Sequence, residues 1–318
     1  MENNSNLQVI NIQENRSNIH LNNNILINLN NFKNFKPFVK WVGGKSLVLK
    51  EIRKFYPTKI KKYCEPFVGG GAVLFDILSL YDVKEVYISD LNKELINTYK
   101  VIRDNINELI EILSKLKGEF LALDQQQRKI YFLQKREEFN FYIKNGENKI
   151  YGSALFIFIN KTCFNGLYRV NKNGLFNSPF GSYKNPEIFN EEILRNISLK
   201  LRKSKIVYGD YKNCKNFIDN DTFVYLDPPY RPISLTSNFV AYNSQKFSDK
   251  QQIELASFFK EISDKKAKVV LSNSDPKNHN IEDNFFDILY SKFNINRIYV
   301  KRFINSNAQS KERLANFW

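Results

Sequence analysis

Four consecutive residues, Asp227, Pro228, Pro229 and Tyr230, end a run that reads as a buried strand, Phe223 to Leu226. One breaker is enough to stop a strand, and each proline removes a backbone donor. Two in succession fix φ twice and hold the preceding residue extended. Such a turn would hold the Asp227 carboxylate and the Pro228 carbonyl at a set separation, both as acceptors, beside the flat Tyr230 ring. Two acceptors and a stacking face suit an aromatic amine, adenine's exocyclic group being one. Taken alone, Asp-Pro-Pro is also a rigid turn with a capping acid, and that reading stays open at this point.

A second cluster lies upstream in "EPFVGGGA", Glu65 to Ala72, followed by Asp90 in "EVYISD". Glycines after a first strand let backbone approach a nucleotide closely, and an acid about twenty residues on can bind ribose hydroxyls. A glycine turn before a helix is also common for packing alone. The spacing is not GxGxxG, and Pro66 sits where a dinucleotide fingerprint would turn, so NAD loses ground to other adenosine-bearing cofactors.

The elements around these residues follow from periodicity. "KKYCE" predicts a strand, Gly69 to Gly71 a turn, and the segment from about Ala72 a helix. "EVYISD" then predicts a second strand, completing a βαβ unit. Ile106, Leu109, Ile110, Leu113 and Leu116 place a helix over about 91–118, stopping at Gly118, and a second helix covers about Tyr151 to Ile159. "GLYRVNKNGLF" predicts a hairpin through Asn173 and Gly174. "KIVYGDY", "TFVYLDPPY" and "AKVVLSNSD" each read as a strand ending in a polar loop, and "IYVKRFI" as one strand of a late antiparallel pair. An α/β pattern thus starts, is interrupted by helical and hairpin material, and resumes. Residues 1 to about 34, rich in Asn, read as a mobile tail whose few Ile and Leu residues have some capacity to dock.

The totals narrow the partner. The chain has 318 residues, 42% of them hydrophobic, and a net charge of +15, which favours a polyanion. Abundant Lys, Asn and Ile would equally follow from AT-rich coding DNA. Three scattered cysteines suggest a reducing compartment, with neither a disulfide frame nor zinc, and two histidines argue against histidine-based catalysis. No run approaches the ~18 apolar residues of a membrane helix, and no secretory signal opens the chain, so an intracellular, cytoplasmic protein is the simplest expectation.

"DPPY", "EPFVGGGA", "KWVGGK" (Lys40 to Lys45) and "NKTCFNGLYRVNKNGLFNSPFGSYKNP" (Asn160 to Pro186) together resemble the Dam-type, D12 class DNA adenine-N6 methyltransferases of the alpha group. The resemblance covers about Lys36 to Trp318, with the four blocks in family order. It implies a Rossmann-like α/β fold, mostly parallel with an antiparallel pair at the C-terminal end, and an inserted helical and hairpin DNA-recognition domain. The implied division is tail 1–34, catalytic domain 35–92 and 187–318, and recognition domain 93–186. S-adenosyl-L-methionine (AdoMet) is the implied cofactor, S-adenosyl-L-homocysteine the product, and no metal is required. Double-stranded DNA is the implied partner, methylated at adenine by base flipping as in restriction–modification, by a monomer or weak dimer.

Carried over residue by residue, the resemblance places Asp227, Pro228, Pro229 and Tyr230 at the reaction. Trp41, Gly44, Lys45, Glu65, Pro66, Phe67, Gly69, Asp90 and Asp210 join Asp227 at the cofactor. Lys40, Asn165, Arg169, Asn171, Lys172 and Tyr183 fall on DNA, since Arg and Asn can read guanine and adenine bidentately in the major groove. Family members that methylate GATC often carry a basic residue after "PFG", where this chain has Ser182. GATC or a related short site is the expected target. An RNA or cytosine amine is the alternative substrate, although such relatives more often replace Asp227 by Asn or Ser. A DNA-binding protein without catalysis would need neither the glycine turn nor DPPY.

Overall fold

A computed structural model describes residues 5–11, 36–231 and 247–300. In chain order come β1 (Ser5–Asn11), α1 (Leu49–Ile52), β2 (Lys62–Glu65), α2 (Ala72–Leu80) and β3 (Glu85–Asp90). Four helices follow: α3 (Lys93–Asp104), α4 (Ile106–Leu121), α5 (Gln125–Asn145) and α6 (Lys149–Thr162). After the hairpin segment the chain forms α7 (Glu191–Leu201), β4 (Ser204–Tyr208), β5 (Thr222–Leu226), α8 (Asp249–Asp264), β6 (Lys268–Ser274), α9 (Phe285–Leu289) and β7 (Asn294–Val300).

The strands make one seven-stranded sheet in the order β4-β3-β2-β5-β6-β1-β7. β4, β3, β2, β5 and β6 run parallel, while β1 is antiparallel to both β6 and β7. All five residues of β5 are buried, as a central strand with helices on both faces requires. Side chains alternate between two cores. Val9, Tyr63, Val86, Phe223 and Tyr225 face one, with residues of α2, α3, α4, α6 and α7. Ile10, Cys64, Tyr87, Val224 and Leu226 face the other, with residues of α8 and α9. The first core continues without a break into Phe139, Phe156, Tyr168 and Phe176, so the inserted segment shares its apolar interior with the sheet.

Three expectations change. Residues 5–11 are a paired strand, not part of a mobile tail: Leu7 and Val9 meet one core, Ile10 the other, and the buried Gln8 amide donates to Asp275 Oδ1 at 3.0 Å. The antiparallel partner of the late strand is therefore this first strand. The remainder of the Asn-rich segment and residues 301–304 of "IYVKRFI" lie outside the described residues. The helix expected over 91–118 breaks at Asn105, whose carbonyl accepts the Leu109 N–H, and Gly118 lies inside α4. Asparagine favours such junctions because its side chain competes for backbone groups. The Asn-Gly hairpin closes one residue early, as a turn from Asn171 to Gly174 with Gly174 at φ 74°. Its arms pair through isolated bridges, Val170 to Phe176 and Cys163 to Phe180, not continuous strands.

Candidate active site

Because five strands run parallel, their carboxyl ends share one edge of the sheet, where open α/β sheets bind ligands. Glu65 ends β2, Asp90 ends β3, Asp210 follows β4, Asp227 follows β5 and Ser274 ends β6. Alternation within the strands buries the apolar residues and leaves these polar ends together.

Asp227 carries the central ion pair. Lys45 Nζ lies 2.5 Å from Asp227 Oδ2, and the two side chains keep 5% and 18% of their accessible surface. The Ser272 hydroxyl donates to Asp227 Oδ1 at 3.1 Å, and Tyr225 and Ser272 share a hydroxyl–hydroxyl bond of 2.8 Å beneath it. Burial pushes the Asp227 carboxyl up, opposed by the Lys45 ammonium and the Ser272 hydroxyl. Burial would pull Lys45 down, but Asp227 and Tyr230 outweigh it and hold the ammonium above the ordinary lysine value. Lys45 also donates to the Gly43 carbonyl at 2.7 Å and lies 5.0 Å from the centre of the half-buried Tyr230 ring. Gly44 closes the preceding turn by donating to the Trp41 carbonyl at 3.2 Å.

The glycine turn is packed from above and tied from below. Gly69 has φ 47°, and a Cβ there would lie 2.8 Å from Trp41 Cδ1. Trp41 in turn stacks on Tyr168, with centroids 5.6 Å apart, and tilts against Phe156. The Gly69 N–H donates to Asp90 Oδ2 at 3.0 Å, and the Asn92 N–H to Asp90 Oδ1 at 2.8 Å. Burial raises the Asp90 carboxyl, and the backbone amides of Asn92, Gly69 and Leu91 oppose it. The Gly209 N–H donates to the Asp90 carbonyl at 3.1 Å, bringing Asp210 alongside; Asp210 accepts the Lys212 N–H at 2.9 Å. Phe67 is half-buried and stacks on Tyr211 at 5.2 Å. Glu65 lies deeper than a contact surface: it is buried, accepts the Tyr63 hydroxyl at 2.6 Å, and burial lifts its carboxyl well above the usual range. Pro66 is buried too, its carbonyl accepting the Ser89 hydroxyl at 3.4 Å.

The residues expected on DNA divide in two. Lys40 is exposed, with its ammonium 4.7 Å from the centre of the Tyr183 ring. Exposed Asn165 takes a left-handed conformation, φ 56°, in the turn beside Gly166. Buried Asn160 joins these pieces, a role its sequence context did not suggest. Its Oδ1 accepts the Lys40 N–H at 2.8 Å, and its Nδ2 donates to the carbonyls of Lys40 and Gly166 at 2.9 and 3.1 Å. Gly166 is required there, because a Cβ would lie 2.6 Å from that of Lys40. Arg169, Asn171 and Lys172 lie exposed along the hairpin. Arg169 is braced by Nε donating to Asn177 Oδ1 at 2.8 Å, and the Asn171 side chain builds the turn by accepting the N–H groups of Asn173 and Leu175.

Other residues found only in the folded chain are Ser272, Gln252 and Asn273, polar side chains buried under the DPPY turn. A strand written "VVLSNS" signals its polar end but not what that end holds. Among the described residues, no group of three or more His, Cys, Asp or Glu is placed to hold a metal, and no helix is long and apolar enough to cross a membrane.

The carboxyl ends of the parallel strands carry the Asp227 carboxylate, the Pro-Pro turn and the rings of Tyr230 and Phe67, as the resemblance to the DNA adenine-N6 methyltransferases leads one to expect. The comparisons agree: the model of the D12 class N6 adenine-specific DNA methyltransferases matches residues 41–304, and the chain belongs to that family. It is 46% identical over 282 residues, 87% of this chain and 95% of the relative, to the type II methyltransferase M.MjaIII of Methanocaldococcus jannaschii. It is 35% identical to the type II methyltransferase M1.LlaDCHI of Lactococcus lactis subsp. cremoris, covering 88% of this chain and 93% of the relative. Identity to the DNA adenine methylase of Haemophilus influenzae is 32%, over 88% of this chain and 91% of that protein.

Proposed function

We propose that the chain methylates the exocyclic N6 amine of adenine in duplex DNA, using AdoMet, at GATC or a related short site. The observation that carries this is the Asp227 carboxylate, fixed at the end of β5 by Lys45 and Ser272 beside the Pro-Pro turn and the Tyr230 ring. The residues present fit the cofactor. Gly69 to Gly71 leave backbone without side chains at the mouth of β2, Asp90 and Asp210 stand at the neighbouring strand ends, and the Phe67–Tyr211 pair offers aromatic surface. Trp41, Gly44, Lys45, Glu65, Pro66, Phe67, Gly69, Asp90, Asp210 and Asp227 would hold it, with Glu65 and Pro66 supporting from beneath. AdoMet supplies an electrophilic methyl group when bound.

The adenine amine is a poor nucleophile because its lone pair is delocalised into the ring. Hydrogen bonds from its two hydrogens to Asp227 and the Pro228 carbonyl favour a pyramidal nitrogen with a localised lone pair. They also stabilise positive charge developing on that nitrogen. The product ammonium is acidic enough to lose its proton without a strong base. To reach Asp227 the adenine leaves the duplex stack, and Tyr230 replaces part of its stacking while Pro229 keeps the turn rigid. Residues 93–186 act as the recognition module, with Lys40 and Tyr183 beside Asn165, Arg169, Asn171 and Lys172 on the duplex. Ser182 stands where family members that methylate GATC often carry a basic residue, so contacts to one end of the site differ while GATC remains the expected target. The buried thiols of Cys64, Cys163 and Cys214 suit a reducing, intracellular setting.

Transfer of tritium from labelled AdoMet tests the reading directly. Unmethylated duplex should accept label, and duplex premethylated at N6 and single-stranded RNA should not. Asp227→Ala should lower transfer at least about a hundredfold while duplex binding stays within a few-fold. Label entering RNA but not DNA, or near-normal turnover by Asp227→Ala, would refute it.

A further inference from the structure

A buried amide relay runs from the backbone of β6 to the DPPY turn. The Ser274 N–H donates to Asn273 Oδ1 at 2.9 Å. Asn273 Nδ2 donates to Gln252 Oε1 at 3.1 Å, and Gln252 Nε2 donates to the Pro229 carbonyl at 3.1 Å. Both side chains are 0% exposed. The orientation of each amide follows from its neighbours. A backbone N–H only donates, so Asn273 must turn its oxygen to Ser274 and its NH₂ to Gln252. Gln252 must then offer oxygen to Asn273 and NH₂ to Pro229. One irreversible backbone donor thus sets which way a side chain two bonds away points.

The grip falls between two residues that are themselves held, Asp227 and Arg231. Proline lacks an N–H, so the carbonyl is the only backbone polar group Pro229 can offer, and it is the one held. On one side Asp227 is held by Lys45 and Ser272. On the other, Arg231 pairs with Asp249 at 2.7 Å and Asp283 at 2.6 Å and lies 4.4 Å from the centre of the Phe285 ring. Asp249 and Gln252 both belong to the first turn of α8, so one helix start grips Pro229 and Arg231 together. With both proline φ angles set by their rings, anchoring the Pro229 carbonyl leaves ψ of Pro228 little freedom. That angle aims the Pro228 carbonyl.

The geometry points to Gln252 and Asn273 as positioning residues for methyl transfer: through Pro229 they fix the aim of the Pro228 carbonyl at the target amine. This rests on the reading of Asp227 to Tyr230 as the reaction site. Asn273→Asp changes one NH₂ to oxygen. The new carboxylate still serves the Ser274 N–H but needs a donor from residue 252, so Gln252 turns over and presents Oε1 to the Pro229 carbonyl. Two acceptors then face each other, and the turn moves. Gln252→Leu removes the grip outright and serves as the second variant.

Single-turnover methyl transfer should fall at least about tenfold in both variants, since small misplacements near reacting atoms carry costs of that size. Dissociation constants for AdoMet and unmethylated duplex should stay within about twofold, a split that general loss of fold would not give. Rates within twofold of wild type in both variants, with Asp227→Ala inactive, would overturn the relay and leave the reaction site standing. A rate loss matched by an equal loss of cofactor and duplex binding would also overturn it. Normal turnover by Asp227→Ala would instead remove the reading beneath it.

Discussion

Lys45→Met removes the ammonium beside Asp227 and keeps a stem able to fill most of its buried space. In the wild type, burial raises the Asp227 carboxyl above its ordinary 3.8 and the Lys45 charge is the strongest force opposing that rise. A neighbouring opposite charge shifts a carboxyl by about 1–3 units. The 2.5 Å contact and the 5% and 18% exposures leave that charge little screened by water. The variant's carboxyl should therefore rise further. Removing one partner of a buried pair costs ~3–5 kcal/mol, and the residual exposure of Asp227 points to the lower end.

The sign follows from proton uptake. A carboxyl raised in the folded state binds more protons there than in the unfolded chain, so stability is full below the ordinary carboxylate value and is lost as pH rises through the folded value. The deficit of Lys45→Met should thus be largest near neutral pH, about 6 °C in melting temperature at ~2 °C per kcal/mol, and should shrink on acidification. Asp227 must be ionised to accept from the amine, so the acid limb of single-turnover transfer should move to higher pH. Labelled AdoMet with saturating duplex between pH 5 and 9, alongside melting curves at both ends, measures both effects. An acid limb unmoved by the substitution, together with an unchanged melting temperature, would refute the assigned pairing.

Gly69→Ala should cost about 1–2 kcal/mol for its left-handed φ alone, and its Cβ should displace Trp41, so weaker AdoMet binding should come with an altered Trp emission. Ile10→Ala should lower urea stability by about 2–5 kcal/mol, because Ile10 is fully buried; a change below 0.5 kcal/mol would show that the first strand is dispensable. Arg169→Ala should narrow the preference for the target over mismatched duplexes by about 1–3 kcal/mol per base read, and an unchanged methylation pattern on mapped DNA would count against the hairpin assignment.

The sequence exposed the residues whose chemistry tolerates few substitutes. Asp-Pro-Pro-Tyr, the glycine turn and the terminal acid of β3 have types and spacing that simple packing does not demand. The strands were legible for the related reason that "TFVYL" is apolar on both faces. β1 was hidden because "SNLQVIN" sits in an Asn-rich setting and its buried Gln8 reads as a surface residue until Asp275 is placed beside it. The break at Asn105 was masked by apolar spacing that continues past it. Gln252 and Asn273 were hidden by local meaning: one stands in a polar stretch for which the sequence offered no element, the other reads as a strand end. Their role exists only once α8 and β6 lie under the same turn.

The place of β1 sets an order of assembly. Its side chains meet partners as much as 285 residues away in the chain, at Asn296, and it lies between β6 and β7. During synthesis, residues 5–11 leave the ribosome before every other strand of the sheet, yet the two strands they lie between, β6 and β7, come after all the others. Closing so long a loop costs little more than a medium one in equilibrium terms, because the entropy grows only as the logarithm of length, but it delays the contact. Until then the β6 edge offers unpaired backbone groups to any extended chain nearby. Among the strands of the sheet, β1 is thus made first and seated last, and the yield of folded protein should depend on keeping it unencumbered while the rest of the sheet is built.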